Sequence, residues 1–221
     1  MDCKIIAHIQ TDFGEKFGIP RQSGLADTRG RIVFLPEYRD ANAVRGLEGF
    51  SHIWLIWQFS EAMIERWQPM VHPPRLGGNT RMGVFATRSP FRPNAIGLSS
   101  VKLESVTFEA EGPVITVSGA DLLDGTPILD LKPYLAYTDS HPEAIGGFAD
   151  PVRDYALEVN CPDALLERLP SDKREPLKQI LRQDPRPSYQ DDPERRYGFQ
   201  YAGFDVRFFV KDRVLTVVEI V

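Results

Sequence analysis

Short runs of β-branched and aromatic residues recur along this chain, separated by turn residues at intervals of roughly 8–15 residues. The most apolar run extends from His52 to Phe59, and earlier runs cover Cys3–Ile9 and Arg31–Leu35. This spacing, with little helical periodicity, predicts a mainly β protein, an antiparallel barrel or sandwich. No G-x-G-x-x-G motif follows a predicted strand and no β-α-β alternation occurs, so an ordinary Rossmann enzyme is disfavoured.

One connection between predicted strands carries unusual side chains. Met82–Thr87 and Ile96–Glu109 are the flanking strands, and Arg88-Ser89-Pro90-Phe91-Arg92-Pro93-Asn94 lies between them. Because prolines prevent regular ladder pairing, this segment is predicted to be a stiff loop. Arginine suits carboxylate or phosphate, and phenylalanine offers a face on which a base stacks. On residue types alone, a stiff connection with surface ion pairs explains the loop equally well.

The charge around this loop favours a binding role. The protein has a net charge of -5 over 221 residues and a pI near 5.4. No aspartate or glutamate occurs between Arg66 and Lys102, a stretch that contains Arg75, Arg81, Arg88 and Arg92. An acidic protein with so long an acid-free stretch is predicted to carry a local positive patch there.

Other features limit the class of protein. Cys3 and Cys161 form neither a disulfide framework nor a metal-ligand spacing, and His72 has no useful metal-binding neighbour, so we expect no metal. The longest apolar run, residues 53–57, is too short to span a membrane, and residues 1–4 show no signal-peptide pattern. We therefore expect a cytoplasmic protein without a membrane partner.

Residues 13–24 are predicted to form a long loop that contains three glycines and a proline. Because Phe13, Phe17 and Ile19 are costly to leave in water, we expect the loop to pack rather than to form a disordered excursion. Long loops within compact domains are often functional.

Residues 119–134 combine turn chemistry with carboxylates. Asp124-Gly125 is a turn dipeptide. The peptide groups of Leu122 and Leu123 suit a purine edge, and the flanking aspartates suit an ammonium group or ribose hydroxyls. A simple Asp-Gly hairpin turn is the alternative. Asp130 and Lys132 lie two residues apart, so on a strand they share a face.

The composition changes near Ala149, which divides the chain into a β domain over residues 1–148 and a small α+β domain over 149–221. Helices are predicted at 163–169 and about 173–183, with Pro176 tolerable only in a first turn. Tyr197–Val210 and Val214–Val221 are predicted to form one hairpin.

Several sequence blocks resemble the TrmO-type tRNA methyltransferases, also called the TsaA-like or YaeB family. The strongest are Gly83–Asn94 and Asp121–Tyr134, and Asp184-Pro185-Arg186-Pro187 with Tyr189 matches the extension of two-domain bacterial members. Further blocks are residues 16–17 with 20–22, 43–48 with 50–52, and 73–79. The resemblance covers nearly the whole chain.

This resemblance implies a single-sheeted antiparallel β-barrel with a small α+β C-terminal domain, which binds S-adenosylmethionine and forms a homodimer. Members methylate N6 of threonylcarbamoyladenosine (t6A) beside the tRNA anticodon. Ser23 and Ser60 stand where the family pattern has proline and a histidine or similar polar residue. The positions that match cofactor contacts are Gln22, Ser23, Gly24, Phe59, Ser60, Arg88, Leu98, Asp121, Leu122, Leu123 and Asp124.

The tRNA anticodon stem-loop is the implied partner, and phosphate-binding and stacking side chains are predicted to contact it. These are Arg75, Phe91, Arg92, Asn94, Lys132 and Tyr134. Asp130 and His52 are candidate general bases, although His52 is more typical of a histidine in a core or at its rim. A non-catalytic S-adenosylmethionine-binding sensor or adaptor on the same barrel is the alternative function.

Overall fold

The computed structural model describes residues 3–61, 67–73, 76, 80–186 and 192–221. Its larger part is a barrel whose strands are β1 Ala7–Thr11, β2 Arg29–Phe34, β3 His52–Gln58, β6 Ile96–Glu109, β7 Gly112–Ser118 and β8 Pro127–Pro133. The barrel closes in the order β1-β2-β7-β6-β3-β8, with every neighbouring pair antiparallel. A two-stranded ribbon of β4 (Met70–Val71) and β5 (Met82–Gly83) lies outside it. The predicted antiparallel barrel is confirmed.

Apolar side chains fill the barrel interior, and along each strand they alternate with side chains that face outward. In β3 the side chains of Ile53, Leu55 and Trp57 are buried, and the intervening side chains face outward. In the sequence of β6, apolar residues alternate at Val101 and Leu103 and then change phase to Val106 and Phe108, which predicts a bulge or a barrel corner near Glu104. The structure has a β-bulge there, between Leu103 and Ser105. Bulges bend a strand and increase its twist, which suits a strand that must curve around a barrel.

The C-terminal part is an α+β unit, as predicted. Its sheet has the order β10-β11-β12-β9, and β9 runs parallel to β12. Its helices cover it with an apolar face that contains the buried Leu177, Ile180 and Leu181. The bounds, with those of the short α1 that follows the barrel, are α1 Ala136–Asp139, β9 Glu158–Asn160, α2 Asp163–Leu166, α3 Ser171–Arg182, β10 Tyr197–Tyr201, β11 Phe204–Lys211 and β12 Val214–Ile220.

Residues 13–26 join the two parts. Phe13 and Ala26 are buried in the C-terminal core, and Phe17 and Ile19 pack against it. Gly18 has a φ of +94° and lies so close to Phe199 that a Cβ there would overlap the ring. The expectation of a packed early loop is therefore confirmed, although the loop packs on the C-terminal unit.

Some predicted elements are wrong. Met82–Thr87 is not one strand, because β5 ends at Gly83 and a 3-10 helix covers Val84–Ala86. The predicted strand at Cys3–Ile9 begins at Ala7 and runs on to Thr11, where β2 and β8 supply partners.

In the C-terminal unit, the continuous run Tyr197–Val210 is broken by a turn at Ala202 and Gly203, both with positive φ. Pro176 is the sixth residue of α3 rather than part of a first turn, because the helix begins at Ser171. Within the described part of the chain, no helix is long and apolar enough to cross a membrane.

Candidate functional site

A cleft of about 790 Å³ opens where the early loop, the loop after β5 and the segment after β7 meet. That volume is in the range of small-molecule sites. Most of the predicted cofactor residues line it, together with two predicted tRNA contacts. The lining residues from those sets are Gln22, Ser23, Phe59, Ser60, Arg88, Leu98, Asp121, Leu123, Phe91 and Arg92.

The cleft holds opposite charges. The guanidinium of Arg88 donates to the side-chain oxygen of Gln22, which fixes the arginine against the early loop. The carboxyl group of Asp121 lines the same cleft, and the charge of Arg88 lowers its pKa and so favours its charged form. A cation and an anion in one cleft suit a ligand that carries both a carboxylate and an ammonium group.

A buried hydrogen-bonded chain positions Asp121. Trp57 Nε1 donates to Ser99 Oγ at 3.0 Å, and Ser99 Oγ donates to Asp121 Oδ1 at 2.6 Å. Because an indole N–H can only donate, the serine proton is directed to the carboxylate. The register of β3 and β6 sets this chain, since Trp57 lies opposite Gly97, where any Cβ would overlap the indole.

The environment of Asp121 sets its protonation. Burial raises the pKa of this carboxyl group above its usual value. The hydrogen bond from Ser99, the backbone N–H groups of Asp121 and Ser23 and the charge of Arg88 act in the opposite direction. The carboxylate is thus partly desolvated and held in place by Ser99.

Three predicted cofactor residues have structural roles and do not line the cleft. Gly24 donates its N–H to the Gly119 carbonyl, and Leu122 is buried in the barrel core. Asp124 Oδ1 accepts from Thr11 N at 2.9 Å, so this carboxylate closes the turn. The alternative of a simple hairpin is wrong, because β7 and β8 are not paired.

Hydrogen bonds within the loop after β5 stabilise its conformation. Arg92 Nη1 donates to the carbonyls of Thr87 at 2.9 Å and Ser89 at 3.2 Å, on either side of Arg88. Arg92 therefore stabilises the loop conformation that presents Arg88. Phe91 beside it is 47% exposed at the cleft edge.

The remaining predicted tRNA contacts are separate from the cleft. Lys132 pairs with Asp130 at 2.9 Å on the outer face of β8, and the Tyr134 ring lies 6.1 Å from the ring of His52. Asn94 is exposed but does not line the cleft. Arg75 lies outside the described residues.

The two candidate bases do not line the cleft either. The ring of His52 is exposed and shares a hydrogen bond with Ser51 Oγ at 3.0 Å, and Asp130 is engaged by its lysine partner. Their catalytic role stays a prediction. Among the described residues, no cluster of three or more histidine, cysteine, aspartate or glutamate side chains is placed to hold a metal ion.

Sequence reasoning missed Trp57 and Ser99. Both point into the barrel, and Ser99 is a polar residue at an inward position of β6, between Gly97 and Val101. A hydroxyl at a position whose neighbours on that face are apolar is the signal that predicts a buried polar partner.

Comparison with known proteins decides the family. The model described as "tRNA-methyltransferase O N-terminal domain" matches residues 8–140, and the "TrmO C-terminal domain" model matches residues 155–221. The chain belongs to the TrmO family of tRNA methyltransferases. It is therefore an enzyme, and we drop the alternative of a non-catalytic sensor.

TrmO-family relatives match along most of the chain. The Escherichia coli K12 protein named tRNA (adenine(37)-N6)-methyltransferase is 41% identical over 94% of this chain and 92% of its own length. A Pseudomonas aeruginosa protein named as a putative S-adenosylmethionine-dependent methyltransferase is 44% identical over 92% of this chain and 90% of its own. The crystal structure of TrmO from Pseudomonas aeruginosa has a TM-score of 0.79, at 35% identity, and covers 100% of this chain and 98% of that one.

Proposed function

We propose that this protein transfers a methyl group from S-adenosylmethionine to N6 of adenosine 37 in tRNA, and that its acceptor is t6A, which becomes m6t6A. The names of the relatives support methyl transfer to adenine 37. The observation that carries the cofactor assignment is the cleft itself, where Arg88 and Asp121 provide opposite charges between apolar walls.

The side chains of the cleft fit the methionyl part and the base of the cofactor. Arg88 is suited to the carboxylate and Asp121 to the ammonium group. Phe59, Leu98 and Leu123 supply apolar surface for the adenine. The bound cofactor would supply an electrophilic methyl group on a sulfonium.

The reaction is an in-line displacement at that methyl carbon. The N6 lone pair forms the new C–N bond, the C–S bond breaks with its electron pair leaving on sulfur, and the N6 proton is lost. The chain contributes chiefly by placing the two reactants, because alignment within a cleft lowers the entropic part of the barrier. Asp130 and His52 remain proposals as the proton acceptor.

The threonylcarbamoyl group gives the site something to recognise, because its carboxylate suits an arginine. When the tRNA lacks the threonylcarbamoyl group, an arginine placed to bind its carboxylate has no partner. Unmodified tRNA should therefore react far more slowly. The test is transfer of labelled methyl groups to tRNA with and without the threonylcarbamoyl modification, with the nucleosides identified by mass spectrometry. Equal rates on both tRNAs would remove t6A from the proposal and leave adenine methylation intact.

Two further assignments belong to this proposal. We propose a homodimer, which the resemblance to the TrmO family implies. Sedimentation velocity tests it, and a monomer at working concentration would refute it.

We also propose that residues 1–148 and 149–221 are the two domains, with separate hydrophobic cores as support. Cytoplasmic location stays an expectation.

A further inference from the structure

Two aromatic rings stack on the protein surface outside both hydrophobic cores. The ring centroids of Trp67 and Phe85 are 5.9 Å apart with planes 28° from parallel. Trp67 is 44% exposed and Phe85 is 70% exposed. Large apolar side chains clustered in water mark interaction sites, because leaving them solvated costs free energy that nothing in the fold recovers.

The β4–β5 ribbon brings these rings together. Met70 pairs with Gly83 and Val71 with Met82, and the Val84 N–H extends the pairing to the Pro69 carbonyl at 2.9 Å. The ribbon pairing ends there, because the 3-10 helix Val84–Ala86 follows β5 directly, and the Trp67 and Phe85 rings meet at this end of the ribbon. The backbone pairing of Pro69 with Val84 therefore holds close together the two segments that carry these rings.

The other end of the ribbon is basic. Arg81 Nε donates to His72 Nε2 at 3.3 Å, and both side chains are exposed. The sequence from Trp67 to Leu103 contains no aspartate or glutamate. Exposed ring faces beside a guanidinium, in an acid-free stretch, are complementary to a ligand that has flat bases and anionic phosphates.

The stacked pair is joined rigidly to the cleft. Phe85 belongs to the 3-10 helix Val84–Ala86, which is anchored by the buried Val84 and by the Thr87 hydroxyl that donates to the Val84 carbonyl at 2.9 Å. The next residues, Thr87 and Arg88, line the cleft. Three residues span at most about 11 Å, so a ligand at the rings lies beside one in the cleft.

We infer that Trp67 and Phe85 form an aromatic platform on which unpaired bases of the tRNA anticodon loop stack, next to the nucleotide that enters the cleft. The inference rests on the proposed function and names a surface that holds its RNA substrate. Proteins recognise RNA loops by stacking splayed bases on exposed aromatic rings, so the platform fits a loop rather than a paired stem. The arginine end of the ribbon would contact the backbone.

The test measures binding of labelled tRNA to Phe85→Ala and Trp67→Ala variants of the full chain. We expect each Kd to rise roughly fivefold to a hundredfold, the range measured for loss of one base-stacking ring. The dependence of affinity on salt should stay at the wild-type slope, because no phosphate contact is lost, whereas Arg81→Ala should flatten it by about one phosphate. Phe85→Tyr, which keeps the ring, should bind like wild type.

The matched control is Phe108→Ala. Phe108 is 60% exposed near the far end of β6, so its loss should leave tRNA affinity unchanged. Calorimetric titration with S-adenosylmethionine and thermal melting should match wild type for Phe85→Ala and Trp67→Ala. If alanine at position 85 prevents folding, Phe85→Leu keeps the apolar volume without a stacking face and should still weaken tRNA binding.

Each contrary outcome has a distinct meaning. Wild-type tRNA affinity in both ring variants, with methyl transfer by the wild-type enzyme intact, would overturn the aromatic platform alone. A change in sedimentation without a change in tRNA affinity would make the surface a contact between copies and would also overturn it. If the wild-type protein neither binds nor methylates tRNA, the proposed function itself fails.

Discussion

Replacing Ser99 with alanine removes one oxygen from the buried chain Trp57–Ser99–Asp121. Ser99 is 1% exposed, accepts from the indole at 3.0 Å and donates to the carboxylate at 2.6 Å. The substitution therefore leaves an indole N–H without its acceptor and a half-buried carboxylate without one of its donors.

The magnitude follows from those two losses. A buried donor left unsatisfied costs about 1–3 kcal/mol, and a hydrogen bond to a charged group contributes about 1.5–3 kcal/mol. The two losses share one hydroxyl and are not additive, so we expect the free energy of unfolding to fall by about 2–4 kcal/mol. For a protein of this size that lowers Tm by roughly 5–15 °C.

The same substitution, Ser99→Ala, changes how the free energy of unfolding depends on pH. Burial raises the pKa of Asp121, and the Ser99 hydrogen bond opposes that rise. Between the unfolded pKa and the raised folded pKa, the folded state binds more protons than the unfolded state, so stability falls as pH rises through that window. Without the hydroxyl the folded pKa rises further, and the window extends to higher pH.

Cofactor binding should report this change directly. An ammonium group needs the charged carboxylate, so affinity for S-adenosylmethionine should fall as pH drops through the Asp121 pKa. We expect the midpoint of that fall to lie at higher pH in Ser99→Ala than in wild type, and Asp121→Asn to bind weakly at every pH. Calorimetric titration across pH and thermal melting without cofactor measure both effects.

Ser105→Ala serves as the control, because Ser105 is exposed on the same strand beyond the bulge. It should change neither Tm nor the pH midpoint. If Ser99→Ala melts like wild type and its pH midpoint does not move, the hydrogen-bonded chain does not position Asp121 and the account of the cleft is wrong.

Three further substitutions test the site. Arg88→Ala should weaken S-adenosylmethionine binding by about 1–3 kcal/mol in a calorimetric titration with Tm almost unchanged; unaltered affinity would remove this arginine from the cofactor site. Arg92→Ala should weaken both cofactor and tRNA, because its side chain holds the carbonyls around Arg88; a loss of tRNA affinity alone would instead support a separate nucleic-acid role. Lys173→Met removes the partner of the mostly buried Asp12 carboxylate and should lower both Tm and cofactor affinity. A fall in Tm alone would show that the C-terminal unit does not influence cofactor binding by the barrel.

Sequence reasoning succeeded where a signal was local. The alternation along β6 and the bulge after Leu103 were readable from period and phase. Sequence reasoning failed where the length or existence of a strand depends on its pairing partner. β5 is short because its partner β4 has only two residues, and the three-residue β9 is a strand only because it pairs with β12. In the site, residue types pointed to Arg88 and Asp121, but not to the inward serine that connects Asp121 to Trp57.

The early loop explains why the C-terminal unit matters to a cleft that the barrel mainly builds. On one side the Gly24 N–H donates to the Gly119 carbonyl at 2.9 Å, which fixes the loop to the barrel. On the other side Phe13 lies in the C-terminal core, and Arg21 Nη2 donates to the carbonyls of Asp184 and Arg186, each at 3.1 Å.

The cleft-lining residues Gln22 and Ser23 therefore lie between the hydrogen bonds of Arg21 to the C-terminal unit and that of Gly24 to the barrel. Loss of either attachment should allow this short segment to move, and a shift of about 1 Å is enough to misalign an in-line methyl transfer. We therefore expect the C-terminal unit to influence the cleft through the loop that it holds, although none of the cleft-lining residues belongs to that unit. Loss of cofactor affinity in Lys173→Met, at a residue that does not line the cleft, is the result that this coupling requires.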